Sequence, residues 1–144
     1  MSVKESKIYI YDKDTDCLTG PDQNDVWNSY PKNIGIAGQV FQTGIYEQTL
    51  NPYNHELFDN RIDMEIAVPM ICWPIKIREK KETIYGVIEI PNIKAFEGLA
   101  TAQNVKPDYY LTETLEFFSK QLAQTLINNE KFIDFKQSLG VSSC

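Results

Sequence analysis

The chain holds one histidine, His55, three cysteines, and no nearly apolar stretch longer than the ten residues from Ile66 to Ile75. Each shortage removes a class of function. With one imidazole, a Ser-His-Asp or Cys-His mechanism has to run through His55, and a multi-histidine metal centre is excluded. Cys17, Cys72 and Cys144 are odd in number and show no CxxC spacing, and no charged-then-apolar leader opens the chain, so it reads as reduced and cytoplasmic. Ten apolar residues make about half a membrane span, so the stretch reads as a buried strand. Positive charge is also short. Twenty acidic against fourteen basic residues leave a net charge of −6, a field that repels polyphosphate and anionic lipid, which argues against nucleic acid and membrane partners. What remains is a globular composition, 42% hydrophobic and 12% aromatic over 144 residues, enough for one core burying roughly 70% of the extended-chain surface.

No internal repeat, low-complexity block or Gly/Ser linker divides the sequence, so one domain is expected over 1–144. Lys7-Ile8-Tyr9-Ile10-Tyr11 alternates with period two and runs into Asp12-Lys13-Asp14, a strand entering a hairpin. Cys17-Leu18-Thr19 reads as the return strand, stopped at Gly20-Pro21, and residues 21–32 as loop with an edge strand around Val26 to Tyr30. Ile36, Ala37, Val40 and Phe41 form the stripe of a short helix closed by Gly44. Gly35 and Gly38 at its start point to a close neighbour, either a ligand or a packed segment. Tyr46 to Leu50 reads as a strand. The run 66–77, a charged tip at 78–83 and Ile84 to Ile90 read as a hairpin. Strand parity puts Gly86, Ile88 and Ile90 on one face and Tyr85, Val87 and Glu89 on the other.

From Thr112, a competent N-cap, the stripe Leu115, Phe118, Leu122, Leu126, Phe132/Ile133 and Leu139 predicts a helix of roughly seven turns. That is longer than a sheet of this size buries. The distal part, 129–144, is therefore expected to extend beyond the domain and to pack on a second copy or a neighbouring domain, making the chain a homodimer through this helix.

In these segments the sequence resembles GAF domains, closest in pattern to those of cyclic-nucleotide phosphodiesterases. Asn33-Ile34-Gly35-Ile36-Ala37-Gly38-Gln39-Val40-Phe41-Gln42-Thr43-Gly44 is similar to the family's Gly-rich short helix. Tyr53-Asn54-His55-Glu56-Leu57-Phe58 with Asp63 resembles its lid, and Met70-Ile71-Cys72-Trp73-Pro74-Ile75 its apolar strand. Tyr85-Gly86-Val87-Ile88-Glu89-Ile90-Pro91-Asn92 resembles the strand that follows, and Leu111-Thr112-Glu113-Thr114 the start of its last helix. The stretch between Asp63 and Met70 is about three residues shorter than in nucleotide-binding members and lacks their threonine-bearing segment.

The resemblance implies an α+β fold: a central antiparallel sheet of about six strands, helices on one face, and a short helix plus lid over the other. It implies a non-enzymatic regulatory or sensory module of a larger signalling protein, with a small-molecule pocket for a cyclic nucleotide or other purine. Carried over by position, the ligand-binding residues are Ile36, Ala37, Phe58, Asp59, Asp63 and Glu89; Tyr85 and Val87 join by strand parity. No catalytic residue, metal or cofactor is implied. The residues alone leave alternatives. Glu89 is a ligand anchor or a carboxylate reaching solvent or a backbone amide, and Asp63 a ligand contact or a cap. His55 reads as a lid packing residue, and Cys72 as an inert buried thiol. A methionine-sulfoxide-reducing enzyme is the competing class, and Cys17 and Cys72 lack its spacing.

Overall fold

A computed structural model describes residues 6–22, 24–77, 83–91 and 109–129. The expected strands form one six-stranded sheet: β1 (Lys7–Asp12), β2 (Cys17–Pro21), β3 (Trp27–Pro31), β4 (Glu47–Thr49), β5 (Met70–Lys76) and β6 (Ile84–Pro91). Their order is β3-β2-β1-β6-β5-β4, and every neighbouring pair is antiparallel. Helix α1 (Gly35–Thr43) lies against one face and helix α2 (Tyr109–Asn128) against the other. This is the α+β architecture the sequence implied.

Local chemistry sets the boundaries. The β1–β2 hairpin turns where Asp12 Oδ1 accepts the Asp14 amide at 2.9 Å, an Asx turn. The return strand does not stop at Gly20. It runs to Pro21, which pairs with Trp27 at the start of the edge strand β3. Helix α1 ends at Gly44, whose left-handed φ of 67° lets its amide reach the Val40 carbonyl at 2.9 Å. Between β4 and β5 the chain makes one 3-10 turn, Pro52–Asn54, then an irregular lid over 55–69.

Two departures carry weight. The register of β5 against β6 shifts between Ile75 and Lys76, with Ile75 opposite Gly86 and Lys76 opposite Ile84. One extra residue in β6 reverses parity before Gly86. Tyr85 therefore packs with Ile75, Ile77 and Leu122 under α2, not beside Val87, which faces α1. In α2 the helix begins at Tyr109, so Thr112 is inside the first turn and does not cap it. Its buried line is Leu115, Ser119 and Ala123, whereas Phe118 is 43% exposed. Ser119 sits on that line because its Oγ donates to the Pro74 carbonyl at 2.8 Å and accepts the Lys76 amide at 2.9 Å. A hydroxyl thus joins α2 to β5 beside the register shift.

The expected distal stripe of Phe132, Ile133 and Leu139 and the charged hairpin tip lie outside the described residues. Cys17 is disulfide-bonded, which corrects the reading of a wholly reduced chain; an odd count leaves one thiol over, and Cys72 is free and buried. Among the described residues no helix is long and apolar enough to cross a membrane.

Candidate functional site

The N-terminus of α1 has to satisfy its first amides, and Ile34 offers no side-chain cap. Asp63, from the lid, supplies it. Its Oδ2 accepts the Ile36 amide at 2.8 Å and the Asp59 amide at 2.9 Å, and its Oδ1 the Ala37 amide at 3.1 Å. Gly35 makes room. Its φ of 73° suits glycine, and a Cβ there would lie 2.5 Å from Asp63 Oδ2. Gly38 is close-packed for another reason: a Cβ would lie 2.7 Å from the carbonyl carbon of Asn33. Both glycines therefore answer to protein neighbours. The amides of Ile36 and Ala37, expected to meet a ligand, are occupied by Asp63.

Behind this cap the space between α1 and the sheet is filled. Ile36, Ala37 and Val40 from α1 meet Tyr9, Met70, Cys72 and Val87 from the sheet, all at most 1% exposed, with Met64 and Ile66 closing the edge. Among the described residues Ala37 and Val87, both expected to border the ligand, lie in one packed cluster with no open chamber between them. Tyr9 crosses the region and its hydroxyl donates to the Ile62 carbonyl at 2.6 Å, tying the lid to β1. Burial, with Glu89 next, raises its pKa far above that of a free phenol.

The floor carries a polar row. Lys7 on β1 is opposite Glu89 on β6, Glu89 is opposite Cys72 on β5, and Cys72 is opposite Glu47 on β4. Glu89 is fully buried, and neither carboxyl oxygen has a hydrogen-bond partner among the described residues. Burial pushes its pKa well above the usual carboxylate range, and the nearby Asp63 pushes it further. Asp63 is raised as well, by burial, against the lowering effect of its three amides. Burial and then Glu89 also raise the Cys72 thiol, which disfavours the thiolate a nucleophile needs.

The lid's remaining residues are held to one another. Asp59 binds Arg61 through two parallel bonds, Nε to Oδ1 at 2.9 Å and Nη2 to Oδ2 at 2.5 Å. Phe58 packs on Tyr53 with ring centroids 5.1 Å apart. His55 accepts the Leu57 amide at Nδ1, 3.1 Å, and meets Glu47 Oε2 at 3.4 Å through Nε2. It is a lid residue, as its sequence surroundings indicated.

One open space lies beside the residue that caps α1. A cavity of about 260 Å³ is bounded by Lys7 and Tyr9 of β1, Asp22 and Asn24 of the β2–β3 turn, Tyr30 of β3, and Asn60 to Asp63 of the lid. Of the residues expected in the site, Asp63 borders it. Ile36, Ala37, Val87 and Glu89 cluster behind it in the packed core, Phe58 and Asp59 stand in the lid outside its wall, and Tyr85 is on the opposite face. Sequence reasoning missed Lys7, Tyr9, Tyr30, Asn60 and Arg61. For Lys7 and Tyr9 a signal existed: they share parity on β1 and oppose Glu89 and Val87. Lys7 has no ion pair among the described residues. No group of three or more acidic, histidine or cysteine side chains is placed to hold a metal among them either.

Comparison with solved structures places this architecture among GAF domains. The chain is similar to the GAF domain of an Acinetobacter phosphoenolpyruvate-protein phosphotransferase, with 17% identity and a TM-score of 0.63, over 88% of this chain and 72% of that one. It is similar to the GAF domain of A. aeolicus nlh2 in an inactive state, with 23% identity and a TM-score of 0.55, over 85% and 72%. It also resembles free methionine-R-sulfoxide reductase from Neisseria meningitidis in complex with its substrate, at 14% identity and a TM-score of 0.55, over 83% and 66%. At these identities the likeness establishes the fold. No protein-family model matches the sequence, and no curated protein matches it either.

Proposed function

We propose that the domain is a non-enzymatic regulatory or sensory module of a larger signalling protein, taking a small anionic or zwitterionic ligand in the cavity beside α1. The carrying observation is the cavity and its charge. Lys7 stands at it without an ion-pair partner among the described residues, Arg61 is paired with Asp59, and the two wall carboxylates are engaged, Asp63 by the α1 amides and Asp22 by the amides of Asn24 and Val26. An anionic group would meet Lys7, the amides of Asn24 and Asn60 would supply donors and acceptors, and Tyr9 and Tyr30 would wall the body of the ligand. Membership in a larger protein is favoured by the GAF domain of the Acinetobacter phosphotransferase, itself a part of a longer enzyme by its name.

A cyclic nucleotide is the larger alternative. At about 260 Å³ the cavity falls just below the usual range for ligand sites, roughly 300–1,000 Å³, so a purine requires the 55–69 lid to move outward. The reductase reading is disfavoured by Cys72, fully buried with its thiol raised. Output through α2 as a homodimer is favoured by Phe117 and Phe118, which are 66% and 43% exposed.

A thermal-shift panel of small anions, amino acids, cyclic GMP and cyclic AMP tests the reading. Stabilisation by at least one of them, abolished by filling the cavity with Asn60→Trp, is expected. Stabilisation that survives Asn60→Trp would place the ligand elsewhere.

A further inference from the structure

Most polar side chains on the cavity wall already have partners within the protein. Tyr9 donates to the Ile62 carbonyl, Asp22 accepts the amides of Asn24 and Val26 and the side chain of Asn28, Asp63 caps α1, and Arg61 is paired with Asp59. Tyr30 is different. It is 7% exposed, and its hydroxyl makes no hydrogen bond among the described residues. A buried phenol ordinarily finds a partner, because an unpaired hydroxyl away from water costs free energy. Asn24 and Asn60, also on the wall, are exposed and have water for theirs.

The Tyr30 ring is held in place. It meets Tyr9 edge to face, with centroids 5.5 Å apart and planes at 89°, and Tyr9 is fixed by its bond to Ile62 and lies over Gly20, where a Cβ would stand 2.6 Å from Tyr9 Cδ1. Presenting the hydroxyl to a ligand therefore costs little ordering. Burial first, and then Asp22, raises the pKa of Tyr30, so at neutral pH the phenol keeps its proton and is a donor. Tyr30 on β3 is opposite Leu18 on β2, and Leu18 is opposite Tyr11 on β1, on the same strand as Lys7. At about 3.4 Å per residue and about 4.8 Å per strand, backbone positions 7 and 30 stand about 17 Å apart. Lys7 and Tyr30 thus reach the cavity from different ends.

We propose that Tyr30 is a specificity-determining donor of this cavity, its hydroxyl meeting an acceptor oxygen of the ligand at a point separate from the anionic group that Lys7 meets. The ligand class is then a small acid carrying a second oxygen function, a hydroxyl, oxo or second carboxylate group, in preference to the plain monocarboxylate of the same chain length. This rests on the proposed occupation of the cavity by a small anion.

Calorimetric titration of the full chain and of Tyr30→Phe tests it, with unbranched acids of three to five carbons, each as the monocarboxylate, the terminal hydroxy acid and the dicarboxylate. The wild type should bind at least one oxygen-bearing acid about tenfold or more tightly than its matched monocarboxylate. Tyr30→Phe should remove that preference and leave monocarboxylate affinity unchanged. Its unfolding constant in urea should stay within about threefold of the wild type, because no internal hydrogen bond is lost. A preference that survives Tyr30→Phe, or a larger loss of stability, overturns the role of Tyr30 and leaves the anion site standing. A wild type that binds none of the acids, or only the plain monocarboxylates, overturns the ligand class. Absence of heat from inorganic phosphate and the cyclic nucleotides as well would take the anion site with it.

Discussion

The Asp63 carboxylate reaches the first amides of α1 through the space that Gly35 leaves by having no side chain, and a Cβ at 35 would stand 2.5 Å from Asp63 Oδ2. The lid and the helix are thereby one structural unit. Asp63→Ala leaves the buried amides of Ile36 and Ala37 without acceptors and should cost about 2–3 kcal/mol in chemical denaturation. Gly35→Ala should cost more than the roughly 1–2 kcal/mol of its left-handed backbone alone. Because Gly35→Ala also displaces Asp63, the double variant should lose less than the sum of the two. Additive losses would mean that residues 35 and 63 act separately.

Ser119 tests the attachment of α2. Ser119→Ala removes a donor to Pro74 and strands the Lys76 amide, for an expected loss of about 1–3 kcal/mol in urea denaturation. A loss within the few tenths typical of surface changes would show that the hydroxyl does not hold the helix to β5.

Cys72 separates a sensory module from a thiol enzyme. Alkylation of the native protein followed by peptide mapping should leave Cys72 unmodified, and unfolding should expose it. Labelling of Cys72 in the folded chain at the rate of a free thiol would reopen the enzymatic reading.

Much of this fold was legible because its signals are local. The alternation of Lys7 to Tyr11, the turn chemistry after Asp12 and Gly44 as the stop of α1 each depend on a few neighbouring residues. The misplaced features depend on something non-local. Tyr85 changed faces because one residue is inserted against β5, and a parity count along β6 alone does not contain that shift. Phe118 was placed on the core stripe by its spacing between Leu115 and Leu122, whereas the line that packs uses Ser119 because β5 offers it a carbonyl and an amide. The expected chamber under α1 is filled because Tyr9 from β1 and Met64 and Ile66 from the lid converge on it, segments far apart in the sequence. Asp63 was read as a ligand contact or a cap, and in the structure it caps α1.

The exposed pair Phe117 and Phe118 marks the face of α2 proposed to meet a second copy. Light scattering on size-exclusion fractions should show a dimer for the 144-residue chain and a monomer for Phe117→Ser/Phe118→Ser, with little change in thermal stability. An unchanged dimer in the double variant would move the interface elsewhere.

The central claim is that a small anion occupies the cavity at Lys7, and calorimetric titration of the wild type and Lys7→Ala tests it most directly. Across small carboxylates, phosphates, cyclic GMP and cyclic AMP, at least one ligand should bind the wild type, with affinity reduced about tenfold or more in a folded Lys7→Ala. No heat from any of them at about millimolar concentration, or equal affinity in both proteins, would contradict it.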